Sequence, residues 1–239
     1  MKILAVIAHP HYAGIQIAGT IINHVKNGDD VYVVSLTSGD LMTDRVPQKE
    51  LAEINKKDAE ESAKLLGIKE LRILDFKDSL LYNSRHELRL ALNEIIREIR
   101  PEIVITHWPN DTHPDFRETG LAVIDACFYA LLVAGVWAEK YPSHMVSKLY
   151  SFETPMLSVG FEPDVFVDIS DVVELKTKSM EIFKIHIDVN AKGSNEIWNS
   201  SVLGANRRWG TECGVMYAEP YKQIKIHEVH NRAVKCLLP

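Results

Sequence analysis

Four of the ten histidines of this 239-residue chain fall in two short stretches. The first is Ala8-His9-Pro10-His11-Tyr12-Ala13-Gly14, which closes the apolar run Ile3 to Ile7. The second is His107-Trp108-Pro109-Asn110-Asp111-Thr112-His113-Pro114-Asp115-Phe116, which follows the apolar run Ile103 to Thr106. Imidazoles mixed with carboxylates offer two kinds of chemistry near neutral pH: proton transfer, or the binding of a divalent metal. His9-x-His11 alone is a weak metal signal, and Asp111-x-His113-x-Asp115 strengthens it if the two stretches meet. A proline after each of His9 and His113 stiffens both stretches, as a preorganised site requires.

The elements that must bring them together are legible as an alternation of strand-length apolar runs with segments of helical period, which argues for βαβ units and a parallel sheet. Strands are expected at Lys2 to Ala8, Val31 to Leu36, Leu71 to Leu74 and Ile103 to Thr106. Helices are expected at Ile15 to Lys26, Glu50 to Leu66 with Gly67 as its C-cap, His86 to Ile99, and about Arg117 to Ala134. In such a sheet the loops after the first and fourth strands open on the same edge, so His9, His11, His107, Asp111, His113 and Asp115 could converge there. Thr37-Ser38-Gly39-Asp40 follows the second strand onto that edge and could meet a ligand, or could be a plain polar turn. Asp75 to Ser84 reads as a loop.

The second half is less regular. Leu149 to Phe152 and Val165 to Ile169 read as strands, a helix runs from Ser170 or Asp171 to about His186, Asn190 to Asn195 is a loop, and a last helix covers Ile197 to about Arg208. Tyr217 to Tyr221 is expected to serve packing or subunit contact. Nothing marks a domain boundary, so residues 1–239 are read as one α/β domain. With 46% hydrophobic residues, the chain can bury one sizeable core. A net charge of −6 and an isoelectric point near 5.9 argue against a nucleic-acid or membrane-surface binder and favour a small-molecule substrate. Cys127, Cys213 and Cys236 lack metal-site spacing and are expected to be reduced, which suggests a cytoplasmic chain.

Ala8-His9-Pro10, Thr37-x-Gly39, Leu65-Leu66-Gly67, His113-Pro114-Asp115 and Gly214-x-x-Tyr217-Ala218-Glu219-Pro220-Tyr221, in this order, resemble the LmbE-like (PIG-L type) zinc-dependent de-N-acetylases. The bacterial branch of the bacillithiol-pathway deacetylases is the nearest in pattern. The resemblance implies a Rossmann-like three-layer sandwich with a mostly parallel sheet, and a homo-oligomer, trimer or hexamer. It also implies a sugar-like substrate carrying an N-acyl group. The family's first motif reads Ala-His-Pro-Asp-Asp-Glu, in which the His and the second Asp bind zinc and the first Asp is the base. Here His9 is kept, His11 stands at the base position and Tyr12 at the ligand position. The second motif reads His-Pro-Asp-His. His113 and Asp115 are kept, and Phe116 replaces the last zinc ligand. Asn55 stands where the family often carries an Arg.

Two readings follow. In the first, the chain is a divergent deacetylase whose catalytic set is His11, His113 and Asp115, with Thr37, Gly39, Asp40, Asn55, His107, Trp108 and Asp111 meeting the substrate. The usual zinc site is then lost or rebuilt. His9 is the retained family ligand, no cofactor is firmly expected, and zinc or another divalent metal could be held by His9, His11 and His113. In the second, the chain is a pseudo-deacetylase that binds a sugar-like ligand or acts as an oligomeric partner.

Overall fold

The computed structural model describes residues 1–41, 46–134, 140–155, 157–184 and 195–226, with the side chains of 195–199 left aside. Expectations for Asn190 to Ser194, His186 and Cys236 lie outside the described residues. In the first half the order is β1 (Lys2–Ile7), α1 (His11–Ile15), α2 (Ala18–Lys26), β2 (Asp30–Thr37), α3 (Gln48–Leu66), β3 (Glu70–Phe76) and α4 (Arg85–Ile99). The second half adds β4 (Ile103–His107), α5 (Pro114–Tyr129), β5 (Lys148–Phe152), β6 (Val165–Asp168), α6 (Val173–Ile182), α7 (Asn195–Cys213) and β7 (Ala218–Ile224).

One seven-stranded sheet runs β3-β2-β1-β4-β5-β7-β6. The pairs from β3 to β5 are parallel, and β7 is antiparallel to both its neighbours. The order reverses between β1 and β4, so the loops leaving these two strands flank a topological switch point, where open α/β sheets bind ligands. Helices α1, α2, α3 and α6 pack together, and α4 packs on α5. The α/β three-layer expectation therefore holds. Ile3 to Ala8 is entirely buried, which explains its unbroken apolar composition.

Gly67 ends α3 with φ +73°, a conformation that penalises residues carrying a Cβ. Several boundaries differ from expectation. α5 starts at Pro114 because His113 accepts the Asp115 N–H and Pro114 supplies a first helical residue that needs no donor. It ends at Tyr129. The expected helix from Ile15 to Lys26 is two, broken at Gln16 and Ile17. A 3-10 turn, Ser170–Val172, precedes α6, with the Asp168 carboxylate taking the Ser170 N–H, so neither Ser170 nor Asp171 caps the helix. α7 continues through Cys213. Of Tyr217 to Tyr221, Ala218 to Tyr221 falls in an interior strand, β7, despite Pro220. No helix among the described residues is long and apolar enough to cross a membrane.

Candidate active site

His9 leaves the end of β1 with its ring buried. Its Nδ1 lies 2.8 Å from Thr37 Oγ1. The Thr37 hydroxyl donates its one hydrogen to the Ala8 carbonyl at 2.9 Å and accepts the Gly39 N–H at 3.1 Å. It can therefore only accept from His9, which fixes the ring proton on Nδ1 and the lone pair on Nε2. Burial lowers the His9 pKa to about 4, Asp78 opposing and His113 assisting, so the ring is neutral at neutral pH.

That lone pair faces Asp115 Oδ2 at 3.9 Å. Asp115 sits in the first turn of α5, and its oxygens accept the N–H groups of Ser79 at 2.7 Å and Leu81 at 3.3 Å. Ser79 holds φ +60°, a left-handed conformation that keeps its N–H aimed at the carboxylate. Burial raises Asp115 to about 6, the two backbone donors opposing and Asp78 adding to the rise. Asp78, in the loop after β3, is itself buried. Its Oδ2 accepts the Leu41 N–H at 2.9 Å, and its Oδ1 lies 3.6 Å from His9 Nδ1.

The remaining side of His9 is aromatic. Phe116 stacks on His113 with centroids 4.0 Å apart and on His107 at 4.5 Å, and Tyr12 meets Phe116 at 4.7 Å and His107 at 5.1 Å. His11 lies nearly parallel to His9 at 6.0 Å and 4.5 Å from Tyr12. The two loops do converge, with His9 and His113 rings 5.5 Å apart.

Several expected substrate contacts are engaged with the protein itself. Asn55 donates to the Ser38 and Gly39 carbonyls, bracing the loop after β2. His107 accepts the Ala8 N–H at 3.1 Å through Nε2, tying β4 to the end of β1, and burial holds its pKa well below the ordinary value. Asp111 accepts the His113 N–H and the Ser158 hydroxyl. Trp108 donates to the Val159 carbonyl and packs edge-on against Phe161. Asp40, Trp108 and His113 keep partial exposure.

The family model for GlcNAc-PI de-N-acetylases (PIG-L) matches residues 4–127, from β1 into α5. The diacetylchitobiose deacetylase of Thermococcus kodakarensis is 32% identical over 229 residues, covering 91% of this chain and 81% of that protein. This chain belongs to the PIG-L family. A probable N-acetyl-alpha-D-glucosaminyl L-malate deacetylase 2 of Bacillus anthracis is 28% identical over 168 residues, covering 63% of this chain and 74% of that one. Among solved structures, the N,N'-diacetylchitobiose deacetylase of Pyrococcus horikoshii superposes with a TM-score of 0.80 at 28% identity. That match covers 93% of this chain and 83% of the other.

Tyr12 and Phe116, expected from the resemblance at two of the family's ligand positions, are both buried and point into the ring nest around His9. Burial pushes the Tyr12 phenol pKa far up, so it stays neutral there. The expected donor set His9, His11 and His113 is not the one the structure assembles. His113 commits Nδ1 to the Asp115 N–H at 3.2 Å, and His11 packs tilted against Tyr12. Instead His9, Asp78 and Asp115 bring ligand atoms within 4.8 Å of one another, all three residues buried. The fit is physical. His9 Nε2 and Asp115 Oδ2 are both acceptors, and 3.9 Å is too long for a hydrogen bond between them. It is close to the separation of about 3.4 Å expected between two ligands on a zinc ion with bonds near 2.1 Å.

His9 and Asp115 have opposite effects on stability as pH changes. A buried His with a lowered pKa binds fewer protons folded than unfolded, so its contribution to stability rises as pH climbs from about 4 to the unfolded value near 6.5. A buried carboxyl with a raised pKa binds more protons folded, so its contribution falls as pH climbs from the unfolded value near 3.9 to about 6. Urea denaturation of metal-free protein between pH 4 and 6.5 should show a steeper rise in stability for Asp115→Asn than for wild type. His9→Gln should show a flatter one. Parallel profiles for all three would contradict the assignment.

Proposed function

We propose that the chain is a deacetylase of N-acylated amino sugars whose metal site has been rebuilt on His9, Asp78 and Asp115. One observation carries the reading: a lone-pair-bearing His9 Nε2 set against a buried Asp115 carboxylate, with a second carboxylate from Asp78 beside it, at the switch point of a PIG-L fold. A divalent cation held there supplies Lewis acidity toward an acyl oxygen. Family relatives named as sugar deacetylases support the substrate class.

The protein's own groups divide the remaining work. His113 accepts the Asp115 N–H through Nδ1, so its ring proton is carried on Nε2. Because burial lowers its pKa, the ring is neutral and acts as a hydrogen-bond donor to the oxyanion of the tetrahedral intermediate. His11 removes the proton from the attacking water and returns it to the departing amine, leaving acetate and the free amino sugar. Asp40 and Trp108, both partly exposed on this sheet edge, meet the sugar. Thr37, Asn55, His107 and Asp111, each hydrogen-bonded to the protein itself, hold the loops. The chain acts as one domain in a cytoplasmic homo-oligomer.

A binding-only role is favoured by the ring nest, since Tyr12 and Phe116 deny the family's own ligand positions. Turnover separates the two. Acetate release from N,N'-diacetylchitobiose and N-acetylglucosamine is expected for metal-loaded wild type and reduced about 10²-fold or more for His113→Ala. Binding of these sugars with no acetate release would overturn the deacetylase reading.

A further inference from the structure

Helix α1 carries His11 and Tyr12 yet has five residues, far too few to hold its shape alone. Two distant elements hold it. Below it lies α6 with Phe183 at its end: a Cβ on Gly14 would come within 2.5 Å of Phe183 and of Ser62 Oγ, and 2.8 Å from Ser179 Oγ. Ser62 and Ser179 bond to each other at 2.8 Å beneath that glycine. Ile15 shares an apolar cluster with Met180 and Phe183, and the Phe183 ring lies 6.4 Å from His11. Lys176, Ser179, Met180 and Phe183 recur at the spacing of one helical face.

The other end of α1 is clamped by charge. Lys176 is fully buried, and its Nζ donates to the Gln16 carbonyl at 3.0 Å and to Glu219 Oε1 at 2.7 Å. Glu219, reaching in from β7, also accepts the Gly19 and Thr20 N–H groups at 2.9 Å each and the Thr20 hydroxyl at 2.6 Å. Tyr221 donates its phenol hydrogen to Thr20 Oγ1 at 2.7 Å. One carboxylate thus caps the first turn of α2, where the helix dipole favours it, while its lysine partner holds the last carbonyl of the α1 turn. These bonds bracket the break between α1 and α2 at Gln16 and Ile17.

We propose that Lys176 and Glu219 are positioning residues that set His11 and Tyr12 against His9. The Ala218-Glu219-Pro220-Tyr221 segment would then serve the site from the opposite end of the chain. The proposal rests on the reading that the His9 to Tyr12 segment is the working part of the site. Removing one member of a buried ion pair strands the other, whereas neutralising both is tolerated far better. The informative variant is therefore the double Lys176→Met, Glu219→Gln.

Imidazole NMR of metal-free protein tests this without substrate, so a failure of the deacetylase reading would not obscure the result. In the folded double variant the His9 and His11 ring signals should move, while those of His24, His86 and His144 keep their wild-type positions. Leu92→Ala, a core change elsewhere, should leave His9 and His11 in place. With a substrate that wild type turns over, kcat should fall about tenfold or more with KM little changed. Wild-type hydrogen exchange gives a second arm that needs no variant. The Gly19 and Thr20 amides should exchange as slowly as those of β7. Unmoved His9 and His11 signals in the folded double variant, equal movement in Leu92→Ala, or rapid exchange at Gly19 and Thr20 would each overturn the proposal.

Discussion

Asp115→Ala should abolish stoichiometric metal binding and lower turnover by about 10³-fold or more, because it removes a ligand and leaves one imidazole and one carboxylate. It should also destabilise the metal-free protein by about 2 kcal/mol, since the N–H of Ser79 and the buried N–H of Leu81 lose their acceptor. Part of that loss is offset by relief of the carboxylate's contact with Asp78, whose neighbourhood raises the Asp115 pKa. The comparison with Asp78→Asn separates the two effects. Asp78 shares the metal role, but Asn can still accept the Leu41 N–H that Asp78 receives at 2.9 Å. Metal analysis of dialysed protein and urea denaturation measure the two quantities independently. An Asp115→Ala protein that keeps its metal would remove Asp115 from the site.

The double variant Tyr12→Asp, Phe116→His should bind zinc about 100-fold more tightly than wild type, because it adds an Asp and a His beside His9 to the three protein ligands that His9, Asp78 and Asp115 already supply. Without metal it should lose about 3–5 kcal/mol. Two buried rings are exchanged for smaller polar groups, and a carboxylate enters a nest of rings that lies 4.0–4.7 Å from Phe116. Added zinc should recover much of that loss by mass action. Competition against a chromophoric chelator and thermal melts with and without zinc measure both effects. Unchanged metal-free stability would show that the rings are not packed as described. Unchanged zinc affinity would show that the backbone no longer presents the family's ligand geometry.

The gross fold was legible because periodicity is a local signal. Ile3 to Ile7 and Ile103 to Thr106 are continuous buried runs, and their parallel pairing placed the His9 and His113 loops on one edge before any contact was known. What escaped was set by tertiary contact. Asp78 is one acid in a polar loop, with no neighbour in sequence to mark it. The available clue was its position after the third strand, on the same edge as His9. β7 was hidden by Pro220, which lacks a ladder donor and sits opposite Phe166. The break between α1 and α2 is bracketed by hydrogen bonds to Lys176 and Glu219, more than 150 residues away in the chain.

Tyr12 and Phe116 are expected from the resemblance at the family's ligand positions, and in the structure their rings pack against one side of His9. The other side was not visible, because recognising His9 Nε2 and Asp115 Oδ2 as facing acceptors required the Thr37 hydroxyl to fix the histidine tautomer. Asn55 looked like a substituted substrate contact, whereas its amide is spent on the Ser38 and Gly39 carbonyls. Side chains near a site in sequence divide into those that touch ligand and those that hold loops, and only three-dimensional contact tells them apart.

The most direct test of the rebuilt site is anomalous diffraction at the metal absorption edge from crystals of protein loaded with zinc. One strong peak is expected within bonding distance of His9 Nε2 and the carboxylates of Asp78 and Asp115, absent in Asp115→Ala crystals grown the same way. A peak on the side of Tyr12 and Phe116, or none under saturating zinc, would contradict a site rebuilt on these three residues.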